Sequence, residues 1–161
     1  MSKAIDAARR AANRAEVQRR TWSIAPEVRA ANADGSIPVS GHAAVFNTLS
    51  LPLYSWWEGR YVEQIAPGAF AKTLQECDCR MLINHDANLI LARYRGNAPA
   101  GNTLRLSEDN IGLLIDADMA PTTYALDLAL SMGRGDVTQM SFAFTVVLDD
   151  WDETSEGTPR R

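Results

Sequence analysis

From Trp22 onward, apolar positions come in short runs separated by turn-forming residues, the texture of strands and hairpins rather than of long helices. Trp22–Ala30 and Ile37–Phe46 read as strands joined across Asn32-Ala-Asp34-Gly35-Ser36, which predicts a hairpin. Cys79–Asn84 and Leu89–Tyr94 flank His85-Asp86-Ala87-Asn88, residues that suit a tight connection and put His85 at a strand end. After the Gly/Pro/Asn loop Asn97–Asn102, Thr103–Ser107 and Gly112–Asp118 predict a second hairpin across Glu108-Asp109-Asn110. A final strand over Val137–Leu148 sets Met140, Phe142, Phe144 and Val146 on one face and Ser141, Ala143, Thr145 and Val147 on the other.

Helical spacing is confined to two places. Ala69–Glu76 has Pro67 near its first turn and Phe70 and Leu74 at i and i+4, facing the core. Thr122 can cap a helix through about Met132, with Leu126 and Leu130 paired at i+4 and Gly133 to Gly135 ending it. Leu49–Gly59 shows no period and reads as a loop whose Trp56 and Trp57 are pinned to the body or line a cleft. The class is therefore α+β, mainly β: a closed or partly closed antiparallel sheet with a few helices.

A length of 161 residues suits one domain, and 46% hydrophobic with 22% charged residues is the balance of a globular chain. Residues 1–20 read as a basic Ala/Arg-rich extension, 21–151 as the folded domain and 152–161 as an acidic and polar tail. No run reaches the ~18 apolar residues of a membrane span, and no secretory leader is apparent, so a cytoplasmic location is expected. Residues 1–20 carry six basic groups against two acids, while the other 141 hold 10 basic and 18 acidic groups, net −8. Such a surface repels a phosphate backbone, so nucleic acid is not the expected partner.

The chain has two histidines, giving two candidates for an imidazole base. His42 lies inside an apolar strand-like run and reads most simply as a satisfied packing residue. His85, between Asn84 and Asp86 at a turn, can reach a cleft while its strand holds it. Ser141 sits in an apolar strand, either as filler or as a hydroxyl held stiffly for attack. Their separation of 56 residues permits adjacent strands without requiring them. Cys77, Cys79, His85 and Asp86 include zinc-ligand types. However, a C-x-C pair on a strand sends its thiols to opposite faces, so neither zinc nor a disulfide is expected. No phosphate loop or dinucleotide fingerprint is present, and no cofactor is expected.

Several motifs occur in order between about Val39 and Trp151: Gly41-His-Ala-Ala-Val-Phe-Asn47, Glu63-Gln-Ile-Ala-Pro-Gly-Ala-Phe70, Asn84-His-Asp86, Thr103-Leu-Arg-Leu-Ser107 and Gly135-Asp-Val-Thr-Gln-Met-Ser-Phe-Ala-Phe144. Together they resemble the tailed-bacteriophage prohead serine proteases. The resemblance implies a herpesvirus-assemblin-like β-barrel wrapped by helices. It also implies an endopeptidase inside the assembling prohead, in the host cell cytoplasm, that cleaves the major capsid protein and scaffold, with itself as a further candidate substrate and a homo-oligomer as a candidate state. The histidine of the N-H-D motif falls on His85 and the serine of the M-S-F motif on Ser141, as general base and nucleophile.

Departures are Gln139 and Ala143, where the family often has glycine, and His42, where it often has an aromatic residue. The chain stops at Arg161, before the region that resembles the source of the third triad member, leaving Asp149, Asp150 and Asp152 as weak candidates for that role. A non-catalytic protease-like module of procapsid assembly, or a fragment of a longer enzyme, is the alternative expectation.

Overall fold

The computed structural model describes residues 16–22, 24–56, 59–96 and 101–161. The expectations for residues 1–15, for Trp57 and for most of the loop at 97–102 lie outside the described residues. The chain runs β1 (Gln18–Trp22), β2 (Glu27–Val28), β3 (Ile37–Val45), β4 (Leu53–Ser55), β5 (Gly59–Tyr61), α1 (Thr73–Glu76), β6 (Asp78–Leu82) and β7 (Ile90–Arg95). It continues through β8 (Leu104–Glu108), β9 (Gly112–Met119), α2 (Thr123–Gly133), β10 (Met140–Phe144), β11 (Asp152–Glu153) and β12 (Pro159–Arg160).

The largest sheet has the order β2-β3-β9-β8, all antiparallel, and the other ladders are two-stranded: β1–β10, β4–β5, β6–β7 and β11–β12. The mainly β class is therefore observed, but among the described residues the ladders do not close into a barrel. Strand β9 shows why the sheet is stable. Leu113, Ile115, Ala117 and Met119 alternate inward and are all buried, against Ile37, Val39 and Ala44 of β3 and Leu104 of β8. Burying the Leu, Ile, Val and Met side chains among these contributes about 1.5–3 kcal/mol each. Helix α2 covers one side, with the Thr122 hydroxyl accepting from the Ala125 N–H at 3.3 Å and Ala125 fully buried. Its Leu128, Ala129 and Met132 face the core, whereas the Leu126–Leu130 pair faces outward.

Several expectations shift. The first helix is shorter than predicted: residues 67–72 are turns and only Thr73–Glu76 is helical, although Phe70 and Leu74 do pack on the core. The segment taken as a loop with pinned aromatics contains the hairpin β4–β5, and Tyr54 and Trp56 point to solvent. The last strand ends at Phe144, and Val147 and Leu148 are exposed. Cys77 precedes β6 rather than lying in it, so the two thiols do not diverge: Cys79 Sγ lies 3.0 Å from Cys77 Sγ, and both remain free. Burial and the neighbouring thiol push Cys79 up to about 12.

Residues beyond the last long strand fold back onto the body. Val62 N–H donates to Pro159 O at 2.9 Å, Arg161 N–H to Val62 O at 3.0 Å and Gln64 N–H to Arg161 O at 2.8 Å. This brings Arg161 to Glu63, whose side chain is only 4% exposed. Glu63 also takes two bonds of 2.8 Å from Arg20 of β1, in a bidentate fork. Both guanidiniums reach Gln18 Oε1, and the Arg161 guanidinium lies 5.7 Å from the Tyr61 ring and 6.0 Å from that of Trp151.

At β3 a bulge between His42 and Ala44 shifts the register against β9. Just past the bulge Gly112 pairs with Val45, and a Cβ there would lie 1.9 Å from Ala44 O. Only hydrogen fits there. Gly112→Ala is expected to lower stability by at least about 3 kcal/mol, while Gly133→Ala, with nothing within 4 Å of its added carbon, is expected to raise it by up to about 1 kcal/mol. Denaturant unfolding of both variants checks the contrast. Glu63→Gln keeps the shape but strands two guanidiniums, and a loss of about 3–5 kcal/mol is expected; a change under about 1 kcal/mol in the same assay would show that the cluster is not stabilising the fold.

Candidate active site

Ser141 owes its position to the stiffness of β10. The strand pairs with β1 in the register Trp22↔Met140, Thr21↔Ser141, Arg20↔Phe142 and Arg19↔Ala143. Its inner face is aromatic: Phe142 stacks on Phe144 at 4.7 Å between centroids and meets the edge of Phe70 at 5.6 Å, and Phe70 lies 6.2 Å from Phe46. Phe70 is fixed in turn by Glu108, whose carboxylate accepts from the Phe70 N–H at 2.7 Å and the Gly68 N–H at 2.9 Å. Gly41 lets β10 approach β3 closely, since a Cβ there would sit 3.1 Å from Met140 Sδ and 3.3 Å from Pro26 Cα. With Met140, Phe142 and Phe144 inward, alternation turns Ser141 to the opposite face.

His85 comes from an independent element, the connection between β6 and β7. Asp86 N–H donates to Ile83 O at 2.9 Å, which closes a turn with Asn84 and His85 at its centre. Both central residues have positive φ, 49° and 60°. That is the pattern of a primed hairpin turn, a region in which asparagine and histidine are enriched among non-glycine residues although it still carries strain. Asp86 Oδ1 accepts from the Asn88 N–H and side-chain amide, each at 2.9 Å, so this acid braces the loop. The strain is held by the β6–β7 ladder on either side.

The two elements bring His85 Nε2 to 3.0 Å from Ser141 Oγ. This is hydrogen-bond distance, and the pair is partly buried. Burial is the larger cause, and the Arg19 charge the second, that holds His85 below the ordinary histidine value of 6.5. Both disfavour the imidazolium, so near neutral pH the ring is uncharged and its Nε2 can accept the seryl proton.

The other sequence candidates lie elsewhere. His42 Nε2 is 2.9 Å from Asp109 Oδ2, while Asp109 Oδ1 accepts from the Ile111 and Gly112 N–H groups at 2.8 and 2.9 Å. The His42 bond, followed by the Gly112 bond, holds Asp109 down at about 2. This clamp shapes the β8–β9 turn. Asp149 accepts from Trp151 Nε1 at 3.1 Å, Asp152 pairs with Arg160 across β11–β12, and Asp150 is exposed. None of the three meets His85, whose one hydrogen-bond partner among the described residues is Ser141. Among the same residues, no three or more His, Cys, Asp or Glu side chains group as metal ligands.

Arg19 and Thr21 are the residues that sequence reasoning missed. Arg19 falls in the segment read as an extension, and the boundary drawn after residue 20 cuts through β1. No local signal marks the strand, since Gln18 and Arg20 on its inner side are polar and the Ala/Arg composition before it reads as helix. No helix of the described residues is long and apolar enough to cross a membrane.

No curated protein and no solved structure matches the chain. A family model described as caudovirus prohead serine protease matches residues 25–161, a span that takes in the His85 turn, β10 and the C-terminal fold-back onto Glu63. With most of its length matched, the chain belongs to the caudovirus prohead serine protease family.

Proposed function

We propose that the chain is a serine endopeptidase of head maturation in which Ser141 is the nucleophile and His85 the general base. The single observation that carries this reading is the 3.0 Å contact between His85 Nε2 and Ser141 Oγ, made by a strained turn and a stiff strand. In the first step Nε2 accepts the Oγ proton as Oγ attacks the scissile carbonyl carbon. The tetrahedral intermediate then breaks its C–N bond, and the imidazolium gives the same proton to the leaving amine. Water, deprotonated by the neutral ring, hydrolyses the acyl-enzyme and restores the Ser141 hydroxyl.

The substrates of this reading are the major capsid protein and the scaffold inside the prohead, with the protease chain itself as a third. Family membership supports them as a class. The sheet β2-β3-β9-β8 is read as one wall of an assemblin-like barrel.

A second reading, a protease-like module that assembles without cutting, is favoured by one feature: no carboxylate meets His85 among the described residues. One assay separates the two. A fluorophosphonate probe is expected to label wild-type protein at Ser141, to leave Ser141→Ala unlabelled and to label His85→Ala about 10²–10⁴-fold more slowly. Equal labelling of wild type and Ser141→Ala removes the nucleophile assignment, and an unreactive wild type favours the assembly module.

The pH dependence carries a sign. The base must be neutral and its titration lies below 6.5, so the labelling rate is expected to rise with pH through a midpoint under that value and then level off. A midpoint above 6.5 contradicts the placement of His85 in a desolvated, cationic setting.

A further inference from the structure

Facing residues of an antiparallel pair share one side of the ladder, and so do residues two apart along a strand. The register of β1 on β10 therefore sets Ser141, Thr21, Ala143 and Arg19 on one face of the ribbon. The opposite face is filled: Phe142 and Phe144 pack inward, and Arg20, 5.5 Å from the Phe144 ring, is held by Glu63. Arg19 stands diagonal to Ser141, a separation of about 7–8 Å between backbones that an arginine side chain spans. Directly across from it Ala143 offers only a methyl group, so the floor between the guanidinium and the hydroxyl is low and open.

Among the described residues Arg19 shares with Arg60, Lys72 and Arg95 the lack of a carboxylate partner, and of these four it is the one whose charge acts on His85. Arg20, Arg29, Arg93, Arg105, Arg160 and Arg161 each pair with a carboxylate. Arg19 is exposed and pairs with none among the described residues, although the chain outside residues 1–20 carries net −8. An unpaired guanidinium beside a reacting hydroxyl, on a face otherwise lined by small residues, is a binding group awaiting an anion.

We infer that Arg19 is a specificity-determining residue that binds a carboxylate side chain of the substrate, an aspartate or glutamate next to the scissile bond. The inference rests on the protease reading of Ser141 and His85. It also adds a link between binding and chemistry. Empty, Arg19 opposes the imidazolium that forms when His85 takes the seryl proton. Paired with a substrate carboxylate, its charge is compensated and that opposition falls, so an acidic residue raises kcat as well as lowering KM.

The test uses the whole chain and a proteome-derived peptide library. Wild-type cleavage sites are expected to be enriched in Asp and Glu within about two residues of the cut, the reach of one arginine beside the nucleophile. A fluorogenic peptide with Glu at the enriched position should have a kcat/KM about tenfold or more above its Lys counterpart. Arg19→Lys should keep the preference and Arg19→Glu invert it; if Arg19→Glu is insoluble, Arg19→Gln should bring the two peptides to near parity.

An unbiased wild-type profile overturns the inference. So does an Arg19→Glu that slows every peptide alike, which would place the guanidinium on the carbonyl oxygen or in the fold. Labelling of wild-type Ser141 by the fluorophosphonate keeps the failures apart. With label and cleavage but no acidic preference, only the role of Arg19 falls; with neither, the protease reading falls and this inference with it.

Discussion

A single buried carboxylate ties the site to the rest of the molecule. Glu63 follows β5 and holds Arg20 from the β1 end of the chain and Arg161 from the other. An isolated carboxylate in such a place is strongly disfavoured, and so is either guanidinium, which leaves the three groups stable only together. Because Arg20 belongs to β1 and β1 is the sole ladder partner of β10 among the described residues, the location of Ser141 is coupled to an ion cluster that it does not touch. The aromatic chain from Phe144 through Phe142 and Phe70 to Phe46 makes the second attachment, this time to β3. A polar anchor acting through β1 and an apolar one acting through Phe142 thus restrain one short strand.

His85 is restrained differently. Its backbone is in a region that costs a non-glycine residue of the order of 1–2 kcal/mol, and the hairpin ladder absorbs that cost. The strain has a geometric return. A relaxed extended residue would continue the alternation of β6, whereas positive φ at both Asn84 and His85 reverses the chain and throws the imidazole off the line of the strand toward β10. The ring needs no carboxylate to reach the serine, because the turn has already aimed it. A carboxylate would still fix the tautomer and stabilise the imidazolium, and a pair without one has less transition-state stabilisation to draw on.

The turns after Asn32 and at Asp109 were legible because they depend on local chemistry, whereas the β4–β5 hairpin was not, and the strand expected over Trp22–Ala30 is divided between the end of β1 and the short β2. Asn32 to Ser36 closes through the Asp34 carboxylate on the Ser36 N–H and hydroxyl, and Asp109 caps its own turn through Ile111 and Gly112. The cap at Thr122 and the alternation of Met140, Phe142 and Phe144 are equally local and equally readable. What stayed hidden is held by distant partners. Strand β1 has no apolar face of its own and becomes a strand because β10 offers it an edge. Arg160 and Arg161 look like a solvated tail until Asp152 and Glu63 are placed beside them. The thiols of Cys77 and Cys79 were misplaced by one residue, since a strand that starts at Asp78 frees Cys77 from the pleat. His85 and Ser141 were singled out by motif resemblance, and their spacing alone left both the catalytic and the packing reading open.

The electrostatics of the site follow from these same placements. Burial already makes the imidazolium unfavourable, and Arg19 on the adjoining face adds to it. Each effect favours neutral His85, which suits the proposed base, and each raises the cost of the ion pair that the proposed attack would create. A triad relieves that cost with a fixed carboxylate behind the ring. Here the one charge that shifts the ring is the Arg19 cation, so under the proposed mechanism relief comes with a bound anion. On the proposed role of Arg19, catalytic power is conditional on the substrate. On the same proposal, the unoccupied chain is the poorer catalyst until an acidic segment occupies the face shared by Arg19 and Ser141.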